Sequence, residues 1–200
     1  MRVTPGESLW SIASRFHVSV GAIAAANHIR NANYVPAGSL LRIPGRGALA
    51  AAAPWWAPRG LRSHAGRLSL LPQFRHWAAV YGIPASTLEA MTWWESGWQG
   101  GAVSSTGAIG IGQLEPATVA FVRQTLIGDS RLNPWVNSDN IRMSARFLRY
   151  LLDETGWNTT RALAAYYEGL GSVRSGYAAP GVGTYVHGIL AFQAVFANAA

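Results

Sequence analysis

The run Trp93-Trp94-Glu95-Ser96-Gly97, followed by Ala102-Val103-Ser104-Ser105-Thr106-Gly107-Ala108-Ile109-Gly110-Ile111-Gly112-Gln113-Leu114-Glu115-Pro116-Ala117-Thr118, decides how this chain is read. Pro84 opens the segment ahead of it, and Leu88, Met91 and Glu95 then fall at i, i+3 and i+7. That spacing lines all three on one stripe of a helix, and Gly97 is a natural stop. Leu88 and Met91 must face a core, so the Glu95 carboxyl shares an apolar face, with Trp94 beside it in sequence. Burial disfavours the charged form of a carboxylic acid and raises its pKa, which keeps a general acid protonated near neutrality. Position alone leaves a second reading open, an exposed glutamate at a fraying helix end. Glu89, six residues earlier, points to another face and reads as a solvated surface acid.

The glycine-rich run narrows the choice. Glu95-Ser96, then Ser104, Gly107, Ala108, Gly110, Gln113, Pro116 and Thr118, then Ala165-Tyr166-Tyr167, and finally Tyr185-Val186 stand in one order along the chain. This series resembles the soluble lytic transglycosylases, relatives of goose-type lysozyme, over roughly residues 68 to 200. The resemblance implies a lysozyme-like, all-helical catalytic domain acting on peptidoglycan. It implies Glu95 as the catalytic group, with Ser96, Ser104, Gln113, Tyr166, Tyr167 and Tyr185 against the substrate. The chain departs from the family pattern at two places. Tyr167 stands where most members have an asparagine, and Ile111-Gly112 replace Leu-Met, which removes a side chain that often lines the sugar groove.

A usual glycosidase sets two carboxylates across the bond it breaks. Here the matching region offers no obvious second one. Asp129, Asp139, Asp153, Glu154 and Glu115 read as solvated or turn residues, and Glu168, directly after the tyrosine pair, is the one exception considered. For a single carboxylate the family implies a lytic reaction at the MurNAc-GlcNAc β-1,4 bond. Glu95 protonates the glycosidic oxygen and then, as carboxylate, takes the proton of the sugar's own 6-hydroxyl, which closes to a 1,6-anhydro end. Two alternatives stay open: a hydrolytic muramidase on the same fold, and a catalytically decayed wall-binding protein.

The N-terminal segment tells an independent story. Val3-Thr4-Pro5-Gly6-Glu7-Ser8-Leu9-Trp10 reads as a strand end, a Pro-Gly turn and a helix start, and Leu9, Ile12, Ala13 and Phe16 recur at helical spacing. Ser19 caps a second short helix with Val20, Ile23 and Ala24 as its stripe. A strand from Leu40 to Ile43 closes the unit before Pro44. This strand-helix-helix-strand order resembles the LysM module, which grips N-acetylglucosamine chains. The resemblance implies a sugar groove between Gly6, Glu7, Ser8 and Leu9 on one side and Asn27, His28, Ile29 and Arg30 on the other, with backbone doing most of the gripping.

The expected organisation is a LysM module over 1–44, an Ala/Pro/Arg-rich linker over 45–67 and a catalytic domain over 68–200, mainly α with a small α+β module. Half the residues are hydrophobic and 12% are charged, which suits a packed core. The chain has no cysteine, which excludes disulfides, and five scattered histidines without ligand spacing; no metal or other cofactor is expected. Every basic residue is arginine, and their excess over acids falls within the first 67 residues. That basic stretch favours an anionic cell wall, while nothing in it resembles a nucleic-acid motif. No apolar run approaches the roughly 20 residues a membrane span needs; Met1-Arg2-Val3 reads as the first strand and not as an export leader, so the expectation is either a leader outside this sequence or another export route. The expected site of action is the cell wall, extracellular or periplasmic, with a phage origin equally compatible, and the expected state is a monomer. Trp55-Trp56 within the linker reads either as a pair packed on the catalytic domain or as a sugar-stacking surface.

Helices are expected over residues 68–81, 84–96, 118–126, 141–155, 161–167 and 184–197. In the fourth, Ile141, Ala145, Leu148 and Leu152 form a buried stripe with Arg142, Arg146 and Arg149 outside. Trp93 and Trp94 are assigned to the core, Tyr166 and Tyr185 to the groove. Gly107, Gly110 and Gly112 lack the Gly-Lys-Ser/Thr of a phosphate loop and read as points of backbone approach to sugar.

Overall fold

The computed structural model describes residues 1–16, 23–24, 26–29, 35–43 and 57–197. The chain divides into two compact units, Met1–Leu70 and Leu71–Ala200.

In the first unit Arg2 and Leu40 form an antiparallel bridge, flanked by Val3 N–H donating to Ser39 O at 2.9 Å and Leu41 N–H to Met1 O at 2.8 Å. Helix α1 (Leu9–Phe16) starts in a reciprocal cap: Ser8 N–H donates to Ser11 Oγ at 3.0 Å and Ser11 N–H to Ser8 Oγ at 3.2 Å. Val3, Leu9, Ile12, Ala13, Ile23 and Leu41 close a small core. Phe16, the last member of the expected stripe, is instead 37% exposed, its ring under the Arg15 guanidinium. Ile23 and Ala24 are helical, whereas Ser19, Val20, Arg30, Pro44, Trp55 and Trp56 lie outside the described residues. Part of the expected linker is ordered as helix: α2 (Arg59–Ser63) buries Leu61, and a 3₁₀ turn runs over Ala65–Leu70.

The second unit is helical: α3 (Leu71–Tyr81), α4 (Ala85–Ser96), α5 (Pro116–Phe121) extended by a π turn at Val122–Ile127, α6 (Asn137–Glu154), α7 (Thr159–Glu168), α8 (Leu170–Ser175) and α9 (Val182–Ala197). The expected helix from Leu68 begins as α-helix only at Leu71. Pro72 has no N–H to give to residue 68, so it fits only the first turn, and the chain arrives in a 3₁₀ conformation. Helix α8 was not foreseen; the glycines at 169, 171 and 176 mask so short an element.

Helix α4 is the central element, packed against α9, α3 and α6. Six consecutive residues, Thr87 to Thr92, are buried, so its burial wraps the helix rather than following one stripe. Glu89 is therefore only 2% exposed, not a surface acid. In α6 the stripe Ile141, Ala145, Leu148 and Leu152 is buried as expected. Its arginines do not simply face water. Arg142 lies 4.9 Å over the Trp77 ring, and Arg149 donates to Tyr81 O at 2.9 Å. Guanidinium planes stack on aromatic faces while their stems cover apolar surface, which a helical wheel does not reveal.

Candidate active site

The site grows from the C-terminal end of α4. Gly97 closes that helix in the left-handed conformation (φ 60°), its N–H donating to Trp93 O at 2.7 Å. Glu95 sits in the last turn, half-buried, and its Oε1 accepts from the Tyr185 hydroxyl of α9 at 2.5 Å. Burial pushes the Glu95 carboxyl up to about 7, opposed by the Tyr185 hydrogen bond, which favours the carboxylate. Tyr185 is itself 5% exposed, and burial together with the Glu95 charge holds its phenol well above the ordinary value. Tyr166 of α7 is raised by the same two causes in the same order. Its hydroxyl donates to Gly112 O at 2.8 Å. Tyr167 turns outward, 47% exposed, with its ring 4.8 Å from that of Tyr185 and its hydroxyl on Pro180 O at 3.2 Å. Glu95, Tyr166, Tyr167 and Tyr185 thus come together from three helices.

The glycine-rich segment is bound to α4 and α6 beside them. Ser96 Oγ donates to Ile111 O at 2.8 Å and accepts from Gln99 N–H at 3.1 Å. Asn140, which sequence reasoning did not single out, is 1% exposed. It accepts from Gly112 N–H at 2.8 Å and donates to Ile109 O and Pro134 O at 3.0 and 2.8 Å. The available signal was a polar residue immediately before the Ile141 stripe. Gln113 takes a left-handed backbone (φ 45°) and its Nε2 donates to Gly110 O at 2.9 Å. Ser104 Oγ accepts from Ala108 N–H at 2.9 Å and Thr106 N–H at 3.2 Å, holding the tip of the loop. Side-chain polar groups of Ser96, Ser104 and Gln113 are thus engaged in shaping this segment.

Two of the three glycines, Gly110 and Gly112, answer to packing within the protein. A Cβ on Gly112 would lie 1.9 Å from Ser144 Oγ and 2.9 Å from Ser144 Cβ, and one on Gly110 would lie 2.5 Å from Asn140 Nδ2. Backbone here approaches α6, where the sequence reading had placed sugar. The tryptophans also divide. Trp93 packs edge-on to Trp98, 5.7 Å away. Trp94, assigned to the core, is 39% exposed. Its ring lies against Phe192 and over Gly188, where a Cβ would come within 2.1 Å of it. A missing side chain on α9 makes room for the ring at the surface.

The other acids of this unit have other commitments. Glu115 accepts from the Thr106 hydroxyl at 2.6 Å, Glu168 from Ala179 N–H at 2.5 Å, and Asp139 from Asn133 N–H at 3.0 Å. Asp129 pairs with Arg131 at 2.9 Å, Asp153 with Arg149 at 2.8 Å, and Glu154 with Arg174. Glu89 faces Arg75 at 3.8 Å. No metal-binding group of three or more His, Cys, Asp or Glu side chains is formed among the described residues.

In the first unit, Gly6 is left-handed (φ 84°), and Glu7 accepts from Thr4 N–H at 2.8 Å while pairing with Arg15 at 2.7 Å. Ser8 caps α1 and Leu9 is fully buried. Asn27 clamps the closing segment, donating to Arg42 O at 2.8 Å and accepting from Arg42 N–H at 2.7 Å. His28 is left-handed (φ 56°) and exposed, and Ile29 packs partly on the core. The side chains of Glu7, Ser8, Leu9 and Asn27 thus build the two loops.

Residues 72–181 match the family model of the transglycosylase SLT domain, and residues 1–44 match that of the LysM domain. Membrane-bound lytic murein transglycosylase F 1 of Alkalilimnicola ehrlichii is 34% identical, over 52% of this chain and 22% of that protein. The 70 kDa soluble lytic transglycosylase of Escherichia coli superposes with a TM-score of 0.61 at 25% identity, over 72% of this chain and 28% of that one. An inactive variant of lytic transglycosylase Slt from Pseudomonas aeruginosa gives a TM-score of 0.58 at 23% identity, over 64% and 24% of the two chains. The chain therefore spans about a quarter of the length of these relatives, and its second unit has their helical, lysozyme-like fold.

Proposed function

The chain belongs to the transglycosylase SLT domain family, and from that premise we propose that it cuts peptidoglycan as a lytic transglycosylase with Glu95 as its single acid and base. The observation that carries this reading is a half-buried carboxyl, pushed up to about 7, whose partner is a phenol rather than a second carboxylate. Such a group is protonated in a useful fraction of molecules near neutrality and ionises readily afterwards.

In the first step Glu95 gives its proton to the glycosidic oxygen of a MurNAc-GlcNAc β-1,4 bond, and the bond from that oxygen to the anomeric carbon breaks. The oxygen leaves as the hydroxyl of the departing N-acetylglucosamine. In the second step the 6-hydroxyl oxygen of the same muramic acid bonds to the anomeric carbon, and its proton returns to Glu95. The protonated acid is restored with no water consumed. Tyr185, donating to the carboxylate, stabilises the form present between the two steps. Tyr166, Tyr167 and Tyr185 border the carboxyl, while Ser96, Ser104 and Gln113 hold the loop that walls the sugar groove. The first 44 residues are the wall-binding module, and the enzyme acts on peptidoglycan outside the cytoplasm.

Digestion of purified sacculi tests this. Wild type is expected to release fragments ending in 1,6-anhydro-muramic acid, and Glu95→Gln to lower release by at least a hundredfold. Reducing ends in place of anhydro ends would make the protein a hydrolase. Equal, negligible release by both proteins, with wall binding retained, would make it a binding protein.

A further inference from the structure

We propose that Tyr167 is a positioning residue for the acid: its ring, packed at a tilt against that of Tyr185, holds the Tyr185 hydroxyl against Glu95. This rests on the reading of Glu95 as the acid. The Tyr167 and Tyr185 rings lie 4.8 Å apart with planes 34° from parallel, within the range of a favourable aromatic pair. Tyr185 is 5% exposed and Tyr167 47%, so Tyr167 flanks a buried phenol and itself faces solvent.

The pose of Tyr167 is fixed from its far end as well. Its hydroxyl donates to Pro180 O at 3.2 Å, and a Cβ on Gly181 would lie only 3.1 Å from that oxygen. The next residue, Glu168, holds Ala179 N–H at 2.5 Å. Two neighbouring side chains at the end of α7 thus bind residues 179–180. A hydroxyl donated to Pro180 has no proton left for a sugar, so the phenol does not reproduce the hydrogen bond an amide would make to substrate. What remains toward the site is the ring. The titratable groups acting on Glu95 are Tyr185 from α9, which donates to it, and Tyr166 from α7, whose phenol is raised by the Glu95 charge; Tyr167 acts on Tyr185.

The test is a double-mutant cycle read on the Glu95 carboxyl by carbon-13 NMR titration of the full chain, with no turnover involved. Removing the donor by Tyr185→Phe is expected to raise the Glu95 midpoint by about one pH unit. In a Tyr167→Ala background, where the Tyr185 hydroxyl is no longer held, the same substitution is expected to raise it by less than half as much. Tyr167→Phe keeps the ring and is expected to preserve the full response. An equal response in the Tyr167→Ala and wild-type backgrounds overturns the proposal. So does a Tyr167→Phe background that behaves like Tyr167→Ala, because the ring would then not be the acting part. If Tyr167→Ala does not fold, Tyr167→Leu, which keeps bulk without a stacking face, takes its place in the cycle under the same criteria. Undiminished cutting by Glu95→Gln would defeat the parent reading and leave this cycle intact.

Discussion

Glu89 and Glu95 stand on one helix with carboxyls both pushed up to about 7 by burial, yet their surroundings differ in kind. Glu95 meets a phenol at the helix end. Glu89 lies inside, 2% exposed, with Oε1 lacking a hydrogen bond and the Arg75 guanidinium only partly offsetting its desolvation. Helical spacing led to the apolar surroundings of the first and to a wrong, exposed reading of the second. A repeat of Leu88, Met91 and Glu95 defines one face, but nothing in it says that neighbours will cover the remaining faces. The folded pKa of Glu89 lies above the ordinary 4.5, so the folded state holds a proton that the unfolded chain releases. Its contribution to stability is whole below about 4.5 and is lost as pH rises through about 7. Glu89→Gln should therefore stabilise the protein relative to wild type by on the order of 2 kcal/mol more at pH 8.5 than at pH 4. Denaturant unfolding at the two pH values checks this, and a difference independent of pH would mean that Glu89 is not held protonated.

At the level of elements, the glycine-rich segment and α6 form one packed joint. The order of motifs was legible in the sequence, because glycines, Gln113 and Pro116 mark a turn before a helix. Its partner was not. Asn140 and Ser144 lie 28 and 32 residues beyond Gly112, and only folding brings them to it. Gly112→Ala should cost about 1–3 kcal/mol by overpacking, since the new methyl meets both Ser144 Oγ and Ser144 Cβ. Adding Ser144→Gly should recover part of that loss, even though a helical glycine costs about 1 kcal/mol by itself. Thermal unfolding of the two single variants and the double variant gives the coupling; strictly additive losses would mean the two positions do not touch. The helix borders that slipped have equally local causes. Pro72 delays the start of α3, and glycines conceal α8.

Across the whole molecule, two units were legible because their motifs are unrelated and follow each other without overlap. The boundary was harder to place. Residues 59–63 and 65–70 are helical and bury Leu61 and Leu70, although Arg, Gly and Ser make up most of the segment. The net charge of +7 arises within the first 67 residues, since acids balance arginines beyond them. A chain lacking residues 1–44 should lose most of its co-sedimentation with sacculi while still cutting soluble glycan fragments. Binding by the intact chain should weaken as salt rises from 50 to 500 mM, because counter-ions screen attraction to an anionic wall. Unchanged pelleting after the truncation would remove the wall-binding role from that unit.

The central claim, a carboxyl kept protonated by burial and acting in that form, is tested most directly by kcat/KM against pH on a soluble glycan substrate. The expected profile has a limb that falls as Glu95 ionises, with its midpoint at about 7. A limb near the ordinary glutamate value of 4.5, or a profile flat from pH 5 to 9, would contradict it.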